Sequence, residues 1–463
     1  MCRCPNGIPM PSLILSHALL PEGWAQDVLL VTDAEGRILE LRPDTRDAAL
    51  PRETGIAVPG LPNLHSHAFQ RGMAGLSEHA GAAEDSFWTW REVMYRFLAR
   101  LTPDDVEAIA TLAYAEMLES GFTRVGEFHY LHHDPDGRPY ADMAEMAMRI
   151  AAAATATGIN LTLLPCFYAH GEVGGGAPLP GQRRFLSDRD GYAALIGGSR
   201  RAIAGLPGSV LGIAPHSLRA ATYDEIRDVM TLAAPDEPLH IHVSEQVKEV
   251  EASRAILGMP PIAALAEAVG LSPRWCLIHA THGTDEELQT VAASGAVVGL
   301  CPVTESNLGD GIFPALRFRD SGGRFGVGTD SNILISAPEE LRVLEYVQRL
   351  IERRRNVLAP RGASTARTLW QAALAGGSQA LGGGPGGLVP GAWADLVLLD
   401  PAHPALAARA EDRWLDATVF AAGCSPIRTV LVRGRRVVVD GAHPLRAAAE
   451  ARVATILARI LHD

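Results

Sequence analysis

The sequence predicts an α/β fold, a (β/α)8 TIM barrel carrying a small β domain assembled from both chain ends. Three observations lead there: eight short apolar runs recur along the middle of the chain, helical segments lie between them, and β-rich stretches stand near both termini. At 463 residues with 47 % apolar content, the chain is long enough for one large domain and a smaller one.

Near the start, "DVLLVT" and "RILEL" flank the turn "DAEG", a hairpin signal. Near the other end, "ADLVLLD" and "IRTVLVRGRRVVVDG" also read as strands, the latter with a turn at Arg433-Gly434. Both pieces are expected in the small domain, as 1–57 and as 386–463 with a terminal helix. The barrel is expected over 58–385. Its eight strands are read at "TGIAVPGLPNLHSH", "FTRVGEFHY", "INLTLLPCFYAH", "VLGIAPHSL", "PLHIHVSE", "WCLIHATH", "AVVGLCPVTE" and "RFGVGTDSN". Between them, "TPDDVEAIATLAYAEMLESG" has Thr102 as N-cap, Pro103 at the first helical position and Gly121 as a stop, with Val106, Ile109, Ala113 and Met117 on one face. "TDEELQTVAASG" opens with a capping box from Thr284 to Glu287 and ends at Gly295.

A net charge of −12 argues against nucleic-acid binding. An anionic substrate requires local arginines, because Lys248 is the chain's sole lysine. No stretch of ~20 apolar residues predicts a membrane span, and the start lacks the pattern of a signal peptide, so a cytoplasmic location is expected. Three of the six cysteines, Cys166, Cys276 and Cys301, lie inside apolar runs, as reduced buried thiols do. Cys2 and Cys4 form a C-x-C with no second pair nearby and read as part of a frayed terminus.

Barrel active sites lie at the C-terminal ends of the strands. Strand one ends at His65 and His67; side chains two apart on a strand face the same way and offer two prongs of a chelate. Alone, this pair is explained as well by two satisfied histidines. Strand five, however, ends with His240, His242 and Glu245, strand six with His279 and His282, and strand eight with Asp330. Imidazoles and a carboxylate suit Zn²⁺, and four strand ends presenting them favour a metal site.

These positions resemble the amidohydrolase superfamily. Members with two metals often use a carboxylated lysine after strand four; here that strand ends "APHSLR", which closes the option. The "HVSE" motif resembles the mononuclear deaminase branch. The stretches "NLHSHAFQRGMAGL", "SFWTWREVMYRF", "GEFHYLHH", "HVSEQ", "RWCLIHATH" and "ESNLGDGIFP" are similar, more narrowly, to the formimidoylglutamate deiminases of histidine degradation.

The resemblance implies one divalent ion per chain, zinc, held by His65, His67, His242 and Asp330, and hydrolysis of N-formimino-L-glutamate to N-formyl-L-glutamate and ammonia. The ion lowers the pKa of water for attack on the amidine carbon. Glu245 is implied as the proton shuttle and His279 as a donor that orients the water or steadies the tetrahedral intermediate; Asp330 is a second candidate proton acceptor. His240 shares a face with His242 and competes with it on spacing, but His242 lies nearer the strand end and three residues before Glu245. The small anionic amidine carries two carboxylates, which planar guanidinium groups bind bidentately. The resemblance points to Arg91 and Arg219, with Gln70, Tyr130 and His216 as further contacts. Read unaided, Arg91 is a surface helix residue, while Arg219 directly follows a strand. Asn307 and Asp310 read as a turn or as substrate contacts, His282 as structural, and Trp88 and Trp90 as core or pocket wall. The Gly- and Pro-rich stretch around Gly174–Arg184 reads as a lid or a passive loop. A homodimer is expected, with no nucleic-acid or membrane partner. The alternatives are a related deaminase acting on a nucleobase or another amidine, and a catalytically silent binding protein of the same fold.

Overall fold

In the computed structural model the described residues are 12–81 and 85–462. The expectation for Cys2 and Cys4 lies outside them.

Eight parallel strands close a barrel, each with helices packed outside it. The first three are Leu61–Ser66, Phe122–His129 and Asn160–Phe167. The fourth is split into Val210–Leu211 and Ala214–Pro215. The last four are Leu239–Val243, Trp275–His279, Val297–Leu300 and Arg324–Val327. Parallel bridges Ile213–Leu239 and Ser217–His242 join the two halves on one side, and Ser66–Asp330 joins them on the other. The eight expected runs each supply a barrel strand. The fourth is interrupted at Gly212 and Ile213, where the backbone comes so close to the next strand that a Cβ at Gly212 would lie 2.8 Å from the Pro238 carbonyl oxygen.

The expected capping signals work as local chemistry. Helix Pro103–Glu119 starts where Thr102 Oγ1 accepts from Asp105 N–H and the Asp105 carboxylate accepts from Thr102 N–H. Thr284 and Glu287 make the same exchange ahead of helix Asp285–Ser294, which Gly295 ends at φ +74°.

Both chain ends meet in one seven-stranded sheet. Its order is Arg435–Val438, Ile427–Val432, Leu396–Leu399, Arg52–Pro59, Ser12–Leu20, Gly23–Thr32 and Ile38–Arg42. The hairpin after Gly23–Thr32 is closed by Asp33, whose carboxylate accepts from the N–H groups of Gly36 and Arg37. Arg433 and Gly434 both have positive φ, as a two-residue hairpin turn requires.

Helix Thr365–Leu381 plugs the floor of the barrel. A Cβ at Gly376 would sit 1.9 Å from the Phe325 carbonyl oxygen, so only glycine lets the helix lie directly on strand eight. Its last residues, Ala380 and Leu381, pack with Leu64, Cys276 and Ile278. The floor is therefore filled by the protein itself, leaving the opposite end for chemistry. Cys166, Cys276 and Cys301 are buried free thiols, whereas Cys424 is exposed. Among the described residues no helix is long and apolar enough to cross a membrane.

Candidate metal centre and substrate pocket

The imidazoles of strands one and five converge at the C-terminal mouth. His65 Nε2 lies 3.2 Å from His67 Nε2 and 3.0 Å from His242 Nε2, and all three side chains are buried. Asp330 Oδ1 is 3.3 Å from His67 Nε2 and 3.6 Å from His65 Nε2. The outer nitrogens define the tautomers. His67 Nδ1 lies 2.7 Å from the Phe128 carbonyl oxygen and His242 Nδ1 lies 2.9 Å from that of His216. A carbonyl accepts only from N–H, so in each neutral ring the proton sits on Nδ1 and the Nε2 lone pair faces inward.

Burial pushes His65 down to about 3 and lowers His67 and His242 as well, so the rings are neutral at pH 7. Burial alone raises a carboxylate, but the adjoining His65, His67 and His279 imidazoles outweigh it and hold Asp330 well below the carboxylate range. Inward lone pairs and a carboxylate at 3.0–3.6 Å repel one another unless a cation lies between them, so this donor set fits a divalent metal. His240 is placed elsewhere: its Nε2 meets the Ala380 carbonyl at 2.8 Å, toward the barrel floor.

The strand ends are held in uncommon backbone conformations. Ser244, His279, Ala280, Asp330 and Asn332 all have positive φ without being glycine. Asn332 ties strand one to strand eight, its Nδ2 donating to Ser66 Oγ and to the carbonyls of His67 and Asp330. Asn63 and Thr329 complete that lattice, with Thr329 Oγ1 donating to Asn332 Oδ1 at 2.6 Å.

Glu245 is buried, with Oε2 2.7 Å from Arg219 Nη2 and Oε1 4.0 Å from His279 Nε2. Glu249 accepts from the N–H groups of Ser244 and Glu245, which fixes the turn that aims Glu245. Burial disfavours charge on His279, but the Glu305 hydrogen bond and the Glu245 and Asp330 carboxylates outweigh it and push its pKa up to about 10. His279 is therefore an imidazolium and a hydrogen-bond donor at neutral pH.

A pocket opens above these groups. His67, His242 and Asp330, Glu245 and His279, and Gln70, Arg91, Tyr130, His216 and Arg219 all line it, whereas His65, Asn307 and Asp310 do not. Phe87, Trp90, Tyr168 and Phe185 add an aromatic wall. Gln70 donates to Tyr130 Oη, leaving Gln70 Oε1 buried without a partner. The Nε of Arg91 and the Nε of Arg219 are likewise buried with no hydrogen-bond acceptor. Arg91 stacks over Trp88, 4.6 Å from its ring centroid. His216 is kept neutral by burial and by the Arg219 charge.

Three other stretches are also placed. Asn307 bonds to exposed Glu78, away from the pocket. Asp310 accepts from Gln246, and burial and Glu245 push its pKa up to about 8; His282 bonds to the Asp310 carbonyl. The stretch up to Arg184 ends clamped, because Arg184 is buried and donates to the carbonyls of His133, Leu98 and Leu101 while Gln182 donates to Tyr168 Oη. That anchored end positions Phe185 as pocket wall. Glu305, Glu249 and Asn332 were missed by sequence reading. For Glu305 the available signal was a carboxylate just past strand seven; the other two carry none.

The chain belongs to the amidohydrolase family, whose model matches residues 56–437. A second model, the N-terminal domain of formimidoylglutamate deiminase HutF, matches residues 15–52. Over 98% of its length the chain is 49% identical to the formimidoylglutamate deiminase of Pseudomonas aeruginosa, covering 99% of that protein. It is 28% identical to the 8-oxoguanine deaminase of the same organism, over 88% of this chain and 87% of that one. The crystal structure of an amidohydrolase from Brucella melitensis superposes with a TM-score of 0.93 at 50% identity, covering 98% of this chain and all of the other. An adenosine deaminase from Xanthomonas campestris, solved with bound zinc, shares the fold at a TM-score of 0.80 and 23% identity, over 98% of each chain.

Proposed function

We propose that this metal-dependent hydrolase deiminates N-formimino-L-glutamate, giving N-formyl-L-glutamate and ammonia, in histidine degradation. The observation that carries the reading is the pair of buried, unmatched guanidinium N–H groups of Arg91 and Arg219 in the pocket that holds the histidine–aspartate cluster. They suit the two carboxylates of this substrate. A neutral nucleobase offers acceptors but no negative charge to set against two guanidinium groups.

His65, His67, His242 and Asp330 would hold one divalent ion per chain, zinc in this reading, which when bound makes water acidic enough to attack an amidine carbon near neutral pH. Glu245 takes a proton from that water, at the Oε1 not engaged by Arg219, and delivers it to the departing nitrogen. Oxygen is added to carbon, the C–N bond to the terminal nitrogen breaks, and that nitrogen leaves as ammonia. His279 donates from Nε2 to oxygen as charge develops there. Asp330 is the alternative acceptor for the first proton. Arg91 and Arg219 bind the glutamate carboxylates, and Gln70, Tyr130 and His216 fix the formimino end.

We also infer the division into 1–57, 58–385 and 386–463, supported by the sheet that draws strands from both chain ends. A cytoplasmic location is supported by the buried free thiols. A homodimer is supported by Tyr346, Leu350 and Ile351, exposed together on helix Ala337–Glu352. Ammonia release from N-formimino-L-glutamate, N-formimino-L-aspartate and a neutral alkyl amidine, run with metal analysis, tests the function. Rapid release from the neutral amidine, with none from either dicarboxylate, would overturn it.

A further inference from the structure

The groups around His279 include one that the mechanism above does not use. Glu305 lies in the short helix Pro302–Leu308 after strand seven and is buried. Its Oε1 accepts from Cys301 N–H at 2.9 Å and lies 3.1 Å from His279 Nδ1. Among the described residues, no arginine or lysine pairs with it, and His279 is its sole ion-pair partner. A carboxylate taken out of water with no cation but this imidazole beside it is costly, so this side chain is kept for what it does to the imidazole.

The backbone supports the same conclusion. His279 and Ala280 have φ of +69° and +50°, where side chains with a Cβ are rarely found. Strain of this kind persists where surrounding contacts over-determine the geometry. The Cys301 N–H anchors the Glu305 carboxylate, and the carboxylate anchors the ring. With Nδ1 held in this way, Nε2 points to the reaction side, 4.0 Å from Glu245 Oε1 and 3.9 Å from Asp330 Oδ2. His279, Cys301 and Glu305 are also close enough together to grip an ion. Here, though, Glu305 Oε1 is already shared between two N–H donors, and the Cys301 thiol is buried and neutral.

We propose that Glu305 is the positioning residue for His279, clamping Nδ1 so that Nε2 faces the oxygen formed in the reaction. This rests on the reading that His279 acts in the deimination. Glu305→Ala, Glu305→Gln, His279→Ala and the double variant Glu305→Ala/His279→Ala are compared by kcat, KM and metal content. Glu305→Ala is expected to lose about 10–100-fold in kcat, the usual cost of losing a buried partner that orients an imidazole, with KM and metal content little changed. The glutamine carbonyl accepts the same two N–H groups, so Glu305→Gln is expected to recover much of that loss.

The double variant is expected to be no slower than His279→Ala alone, since residues acting through one another are not additive. Normal kcat in Glu305→Ala beside a slow His279→Ala would overturn the role of Glu305 and leave that of His279 standing. Normal kcat in His279→Ala would overturn both. Additive losses, or loss of metal from Glu305→Ala, would show that Glu305 acts through the fold or the ligands. If Glu305→Ala does not fold, Glu305→Gln and its double with His279→Ala carry the same comparison, and additivity there overturns the proposal.

Discussion

The two ends of the barrel bury charge in opposite ways. At the N-terminal end, Arg124 donates to Thr162 Oγ1 and to the Gly208 carbonyl. Asp395 accepts from Asn160 Nδ2 and from Arg433 N–H, and Arg433 Nη1 returns to Asn160 Oδ1. That network is closed by protein groups and ties the barrel to the sheet. At the C-terminal end, lone pairs face lone pairs, two guanidinium N–H groups are unmatched, and non-glycine residues sit at positive φ. An end whose polar groups are complete without a ligand serves stability. An end completed only by an ion and a dianion serves chemistry.

The largest effect is expected where that incompleteness is greatest. His67→Ala removes one of three converging imidazoles. Metal content should fall well below one ion per chain, and turnover should drop by more than the about 10–100-fold typical of residues that merely support a ligand. Normal turnover with a full complement of metal would show that the cluster is not a metal site.

Glu245→Gln keeps the shape and the Arg219 contact but cannot carry a proton. Metal should stay bound while kcat falls by about 10²–10⁴. Loss of metal, with the rate per remaining ion unchanged, would make Glu245 a ligand instead.

Arg219 joins the two functions of the mouth, because its Nη2 holds Glu245 and its Nε, 3.9 Å from Glu249 Oε2, has no hydrogen-bond acceptor. Arg219→Met should raise KM for N-formimino-L-glutamate by about 10- to 150-fold, the worth of one charged hydrogen bond at roughly 1.5–3 kcal/mol. The freed Glu245 should also cost some kcat, and that smaller loss should be shared by a neutral amidine. Equal total losses on both substrates would assign Arg219 to Glu245 alone.

The same contrast explains what could be read from the chain. The histidines and Asp330 were legible because they close apolar runs, where a period of two aims side chains into one mouth. The N-cap at Thr102 and the capping box at Thr284 were legible because each interaction spans four residues. Glu305, Glu249 and Asn332 were not, because each acts on a group supplied by another segment. Glu305 reads locally as an ordinary acidic residue in the first turn of a helix. The sheet order was hidden for a related reason: Arg52–Pro59 pairs in parallel with Ser12–Leu20 and antiparallel with Leu396–Leu399, a choice made by long-range packing.

The smallest effect on activity is expected at the closed end. Arg124→Met should leave metal content and kcat unchanged and lower the unfolding temperature. Leaving a buried hydroxyl or carbonyl without its donor costs about 1–3 kcal/mol. The loss should depend on pH through Asp395. Burial pushes that carboxyl up from the ordinary 3.8 to about 6, while Arg433 and Arg124 pull it back down. A carboxyl whose folded pKa is raised binds its proton more tightly in the native state, so its contribution to stability is lost as pH rises from 3.8 through 6. Without Arg124 the folded pKa moves higher still, and the native state then resists ionising Asp395 over a wider range. Below 6 the carboxyl is neutral in both proteins and has little attraction to lose; above it, only the variant is penalised further. Thermal unfolding at pH 5 and pH 8 should therefore show a larger gap between variant and parent at pH 8. An equal gap at both values would detach Arg124 from Asp395, and a loss of metal or of kcat would mean that the two ends of the barrel are not separate in function.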